Sequence, residues 1–154
     1  MSASTTNSIV QEMTIASPVE RVWRAISDAE EFGQWFGMTC DRPFVPGAEI
    51  GCEITNPEEY RGTKFPIWID AVEPPRFFSF RWHPYAVDKN DYSAEPTTLV
   101  TFTLEPAPEG THLTIVESGF DDIPLDRRAE AFASNSEGWR IQSQNIATFV
   151  AANA

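Results

Sequence analysis

The chain has 154 residues, 42% of them hydrophobic and 22% charged, so it suits one globular domain and neither a disordered nor a fibrous segment. A chain of this length buries about 69% of the surface its unfolded form exposes, enough for a real core. Eleven Lys and Arg stand against 23 Asp and Glu, a formal charge of -12, which disfavours nucleic acid and anionic lipid as partners.

Residues 1–8 are small and polar, with neither a basic nor an apolar region of the kind that directs secretion, and a cytoplasmic location is expected. Residues 9–15 alternate weakly, Ile9, Gln11, Met13 and Ile15 on one face, and predict a strand. Ser17 and Glu20 are spaced as a capping box around Pro18 at the first helical position. Val19, Val22, Trp23 and Ile26 then place one apolar stripe on a short helix. A second short helix is expected over residues 29–35, before breaks at Gly33 and Gly37.

Ile50, Cys52 and Ile54 alternate with Glu49, Gly51 and Glu53 after a Pro46-Gly47 turn, and predict a second strand. Residues 65–72 read as a third, with Pro66 implying an edge or a bulge. Phe78, Phe80 and Trp82 make the inner face of the next strand, with Ser79, Arg81 and His83 outward. Residues 84–96 form a polar loop of a length that often covers a site. Val100, Phe102 and Leu104, then Leu113 and Ile115, predict a hairpin turning at residues 106–110.

Residues 124–152 lack an internal proline and carry Leu125, Ala129, Phe132, Ser136, Trp139, Ser143, Ile146 and Val150 at helical spacing. One long helix is expected, with small residues in the middle of its inner stripe and Gly138 at mid-length. The order of strand, two short helices, five or six antiparallel strands and a long terminal helix is an α+β arrangement. It makes one domain, residues 1–154, with an ordered core of about residues 9–150. A curved sheet wrapped around that last helix would enclose a cavity opposite Ser136, Gly138 and Ser143.

Trp35, Phe36, Phe44, Phe78, Phe80, Trp82, Phe102, Phe132 and Trp139, with Ile115, supply apolar wall for such a cavity or plain core packing. Counting by two from Leu113 and Ile115 turns Glu117 inward, where it is either neutralised by burial or paired with Arg81 or Arg140. Such a carboxyl can orient a ligand or act as a general acid or base, which makes it the candidate catalytic residue; a strand end that leaves it in solvent is the bland alternative. His83 and His112 are far apart in the pattern, and no ligand spacing for a metal and no nucleotide or cofactor fingerprint is present, so neither metal nor cofactor is expected. Cys40 and Cys52 read as buried free thiols.

Several segments together resemble a known family. Ser17-Pro18-Val19-Glu20-Arg21-Val22-Trp23 followed by Trp35-Phe36 is similar to the opening motif of the START-like, or SRPBCC, superfamily, whose helix-grip fold is shared with the birch-pollen allergen. Pro74-Pro75-Arg76 leading to Phe78, Phe80 and Trp82, then Glu117-Ser118-Gly119-Phe120, then Gly138-Trp139, resemble its branch related to the C-terminal domain of the heat-shock-protein-90 ATPase activator. The resemblance implies a pocket between sheet and terminal helix, which members of the superfamily use for lipids, sterols, polyketides and plant hormones. The expected function is binding of a small hydrophobic molecule, lipid-like or aromatic. A cyclase- or hydratase-type enzyme using Glu117, and a chaperone-associated module, stay open as alternatives, and a homodimer is left open. The sequence carries no counterpart of the activator's separate N-terminal domain, so a full co-chaperone role is not expected.

Overall fold

The structure, a computed structural model, describes residues 7–84 and 93–153. Its elements run β1 (Ser8–Ile15), α1 (Val19–Ser27), α2 (Ala29–Phe36), β2 (Met38–Cys40), β3 (Glu49–Ile54), β4 (Lys64–Glu73), β5 (Phe77–Trp82), β6 (Thr98–Ala107), β7 (Gly110–Ser118) and α3 (Leu125–Ala152). All seven strands form one antiparallel sheet in the order β1-β7-β6-β5-β4-β3-β2. This is the curved sheet, paired short helices and long C-terminal helix that the sequence pattern predicts. Part of the polar loop expected over 84–96 lies outside the described residues. Among the described residues no helix is long and apolar enough to cross a membrane.

The helical start differs in detail from its expected capping box. Pro18 is the N-cap of α1 rather than its first residue, and no side chain caps the helix there. Proline sets that position in extended backbone, φ -63° and ψ 154°, so Ser17 falls one place too early to reach the free amides. A side-chain cap forms instead at α2, where Asp28 Oδ2 accepts from the Glu31 amide at 3.0 Å. Gly33 does not break α2 but lies within it, and a Cβ there would collide with the Met38 carbonyl oxygen.

Gly37 ends α2 in the left-handed region, φ +93°, and its carbonyl accepts from the amides of Thr55 (2.8 Å) and Asn56 (3.2 Å). It therefore joins the end of α2 to the segment after β3. Gly37→Ala combines a strained φ with a Cβ placed 2.5 Å from the Asn56 carbonyl oxygen. We expect it to cost about 2 kcal/mol, read as a lower urea midpoint at unchanged slope.

Pro66 sits opposite Gly51 of β3, while the pairing of β4 with β5 begins only at Trp68. At Pro66 the strand is thus a local edge inside an interior strand, where the missing N–H breaks no ladder. The register irregularity of β4 comes later, between Ile69 and Ala71.

The core lies between the sheet's inner face and the helices. Phe32 of α2 is its centre, with the Trp35 ring at 4.4 Å, Phe44 at 5.5 Å, and Phe80 and Phe102 each at 6.1 Å between centroids. Phe78 stacks on Phe44 and Phe102 at 5.5 and 5.9 Å. These rings interlock as stacked, tilted and edge-on pairs and fill the middle of the sheet's inner face.

Along α3 the inward stripe differs from the expected one in its first half. Leu125 is 78% exposed and Ala129 is also exposed, whereas Ala131 is buried and Asn135 half-buried, followed by buried Trp139, Ser143, Ile146 and Val150. The helix presents Asn135 inward because a polar group on the sheet requires it, as the site geometry shows.

Candidate functional site

A half-enclosed cavity of about 220 Å³ lies between the ends of β3, β4 and β5 and the middle of α3. Its apolar walls are Phe36 from the end of α2, Ile54, Phe65, Trp82 and Trp139. Trp82 and Trp139 lie 5.7 Å apart, Phe36 is 5.9 Å from Trp82 and 6.3 Å from Trp139, and Phe65 is 6.2 Å from Trp82. Gly138 forms part of the helix side, and a Cβ added there meets nothing within 4 Å. Its hydrogen side chain is therefore space given to the cavity.

Glu117 stands behind this wall. Alternation along β7 turns it inward with Leu113 and Ile115, and it is completely buried. Its Oε1 accepts from Trp139 Nε1 at 2.8 Å and Asn135 Nδ2 at 3.0 Å. Its Oε2 accepts from Trp82 Nε1 at 2.8 Å, Asn135 Nδ2 at 3.1 Å and the Thr98 hydroxyl at 2.5 Å. Asn135 and Trp139 are one helical turn apart on α3, which brings both to the same carboxyl. Trp82, Asn135 and Trp139 line the cavity and Glu117 does not, so the carboxyl touches the chamber only through its donors.

Of the two alternatives for Glu117, neutralisation by burial or pairing with an arginine, the second does not occur. Arg81 Nη1 reaches the Thr97 hydroxyl at 3.5 Å, and Arg140 pairs with Glu137. Both are exposed, because alternation along β5 and helical phase along α3 direct them outward. Neutral donors thus surround a buried carboxyl, and burial pushes its pKa above the ordinary value against the opposing pull of Thr98, Trp82, Trp139 and Asn135.

The remaining expected residues divide by position. Trp35, Phe44, Phe78, Phe80, Phe102 and Ile115 are buried in the core away from the cavity, and Phe132 packs edge-on against Phe120 at 5.2 Å. Ser136 is half-buried; Ser143 is buried, its hydroxyl donating to the Arg140 carbonyl of its own helix at 2.9 Å, and neither lines the chamber. Trp35 Nε1 donates to the Ala25 carbonyl at 2.8 Å, joining α1 to α2.

Sequence pattern alone missed Asn56, Tyr60, His83, Asn135 and Gln142 on the cavity rim and walls. His83, expected outward, lies past the last residue of β5, where strand alternation no longer applies. Asn135 carried a usable signal, since an inward glutamate must find donors and the helix facing it offers few. Gln142 Nε2 donates to the Phe36 carbonyl at 3.0 Å and so ties α3 to the end of α2 at the cavity. Among the described residues no group of three or more His, Cys, Asp or Glu is placed to hold a metal ion.

Comparison with solved structures supports this architecture. The chain superposes on the MLL2253 protein of Mesorhizobium loti with a TM-score of 0.75 at 25% identity, over 96% of this chain and 98% of the other. A protein of Arthrobacter aurescens shares the fold at a TM-score of 0.77 and 20% identity, over 96% and 87% of the two chains. DynU16, from the dynemicin biosynthetic locus, matches at 0.72 and 25% identity over 96% of this chain, which spans 48% of that longer one. Comparison with curated proteins gives no match. The family described as Activator of Hsp90 ATPase homolog 1-like protein matches residues 16–151, and with the helix-grip architecture around it, the chain belongs to that family.

Proposed function

We propose that this protein binds a small aromatic molecule, of one or two fused rings, in the cavity between Trp82, Trp139, Phe36 and Phe65. Proteins of this fold family generally bind hydrophobic ligands. The observation that carries the narrower reading is the combination of size and wall chemistry. An apolar cavity of about 150 Å³ accommodates benzene, and drug-sized ligands take about 300 Å³ or more. About 220 Å³, half-enclosed and walled chiefly by four aromatic side chains, lies between these and matches one or two fused rings more closely than a sterol or a long acyl chain.

The polar end of the ligand follows from Asn135. One N–H of its amide is shared between the two oxygens of Glu117, at 3.0 and 3.1 Å, which leaves the carbonyl oxygen, an acceptor, and the second N–H for a ligand. A phenol, an indole or an arylamine donates to that oxygen, and a phenol's oxygen can also accept from the N–H.

Isothermal titration against phenols, indoles and arylamines, with fatty acids and sterols as a second panel, tests this. At a normal ligand efficiency for about ten heavy atoms, dissociation constants of about 10–100 μM are expected for the first panel, with quenching of tryptophan fluorescence. No binding by any ring compound, or tighter binding of fatty acids than of phenols, would overturn the reading.

A further inference from the structure

The two cysteines lie away from the cavity, in a part of the sheet with no role in the reading above. Cys40 and Cys52 are register partners on β2 and β3. The Asp41 amide donates to the Gly51 carbonyl at 3.0 Å and the Thr55 amide to the Gly37 carbonyl at 2.8 Å, so the alternating ladder makes Cys40 and Cys52 a non-hydrogen-bonded pair. In such pairs the Cα atoms approach to about 4.5 Å and the side chains are at their nearest, within the range a disulfide spans. Both are free thiols in this structure, and as directly opposed register partners their side chains are neighbours on one face of the sheet.

We propose that Cys40 and Cys52 are a redox-modifiable dithiol, closed to an intramolecular disulfide by exchange with a small uncharged disulfide. β2 is the edge strand and its register is fixed beside the pair, where Asp41 Oδ1 accepts from the Gly51 amide at 2.9 Å. Both cysteines border a hollow of about 570 Å³ on the sheet edge, with Cys40 half-buried and Cys52 only 3% exposed. The hollow is flanked by Asp41, Glu49 and Glu53 against Lys64 alone, which favours an uncharged reagent over an anionic one.

Accessibility sets the order of events. The Cys40 thiolate attacks one sulfur of the small disulfide, forming a mixed disulfide and releasing one small thiolate. Cys52, losing its proton to solvent or to that thiolate, then attacks Cys40 Sγ and releases the second. One disulfide is reduced to two thiols as the protein's two thiols are oxidised to one bridge. Contact with Cys52 lowers the Cys40 thiol's pKa, against desolvation and the Asp41 charge, which suits Cys40 as the first nucleophile; the same contact, with burial, raises that of Cys52, and capping Cys40 in the mixed disulfide removes that contact before Cys52 must attack.

The test is to incubate the full chain with 2-hydroxyethyl disulfide, acid-quench, and read intact mass with and without alkylation. Wild type is expected to lose two hydrogens, retain no reagent and stay monomeric. Cys52→Ser is expected to retain one reagent group, on Cys40. Native Cys40→Ser is expected to react at least about tenfold more slowly than Cys52→Ser. Accumulation of a mixed disulfide in wild type, an intermolecular dimer, or equal rates for the two variants would overturn the proposal. Should either variant fail to fold, the wild-type mass alone decides.

Discussion

Glu117→Ala is expected to destabilise the protein by about 3–5 kcal/mol, read by urea unfolding, a large share of the 5–15 kcal/mol typical of a domain this size. The reason is not loss of an ion pair. Two indole N–H groups, an amide and a hydroxyl converge on this carboxyl, and truncation leaves each without its acceptor. Water entering from the cavity can serve Asn135, which is half-buried, more readily than Trp139, which is 2% exposed. Ring-ligand binding is expected to fail with it, because Trp82, Asn135 and Trp139 are held in the cavity wall by the same group.

Glu117→Gln separates the carboxyl's shape from its proton. The glutamine oxygen can keep Trp139 and Asn135, its amide can donate to the Thr98 hydroxyl, and Trp82 Nε1 loses its acceptor, costing about 1–2 kcal/mol at acid pH. Burial raises the folded carboxyl above its ordinary value, so the folded state retains a proton the unfolded chain has already released. Stability from that proton is whole below the ordinary glutamate value and is lost as pH rises from there through the folded value. Wild type's advantage over Glu117→Gln should therefore be greatest at low pH and shrink as pH rises. Urea unfolding of both proteins across pH 4 to 9 reads this; a gap independent of pH would show a carboxyl that folding does not shift, and a gap that grows with pH would show one held ionised.

The inward turn of Glu117 was legible by counting from Leu113 and Ile115, because β7 alternates without a break to its last residue. So was the order of the longer elements, since strands with one wet face and a helix with one dry stripe leave strong periodic patterns; β2, Met38–Cys40, is too short to show a period and was not. The identity of Glu117's partners was not legible. Charge suggested Arg81 or Arg140, yet the first alternates outward on β5 and the second occupies the solvent face of α3. Indole N–H groups offered the same bonds without a second buried charge, an arrangement that spares the desolvation of a guanidinium.

Which aromatic residues pack and which line a cavity depends on distance along the sheet, and composition does not encode that. Phe78, Phe80 and Trp82 share one face of β5, but the first two lie under Phe32 while Trp82 reaches past it to Phe65 and Trp139. The phase of α3 was misread for a related reason. Leu125 suggested an apolar start to the stripe, but in the structure its side chain is in solvent and the stripe begins at Ala131. Tertiary demand for Asn135 and Gly138 at the cavity fixes the rotation of the helix there.

Gly138 is where stability and binding are expected to part. Glycine at mid-helix costs about 1 kcal/mol relative to alanine, and a Cβ here meets no neighbour, so Gly138→Ala should stabilise the protein by up to about 1 kcal/mol. Gly138→Leu keeps most of that gain in helix propensity and extends a branched side chain into the space bounded by Phe36, Trp82 and Trp139. Occupying the cavity with the protein's own atoms should weaken binding of a phenol or indole at least about 100-fold, equivalent to about 2.7 kcal/mol, while the urea midpoint stays at or above wild type. A ligand bound elsewhere on the surface would be indifferent to this change, and undiminished affinity in a stably folded Gly138→Leu protein would remove the cavity from the account of binding. The opposite pairing in Glu117→Ala, where stability and binding fall together, makes the two variants a joint test: the glutamate supports the wall, and the glycine leaves the room inside it.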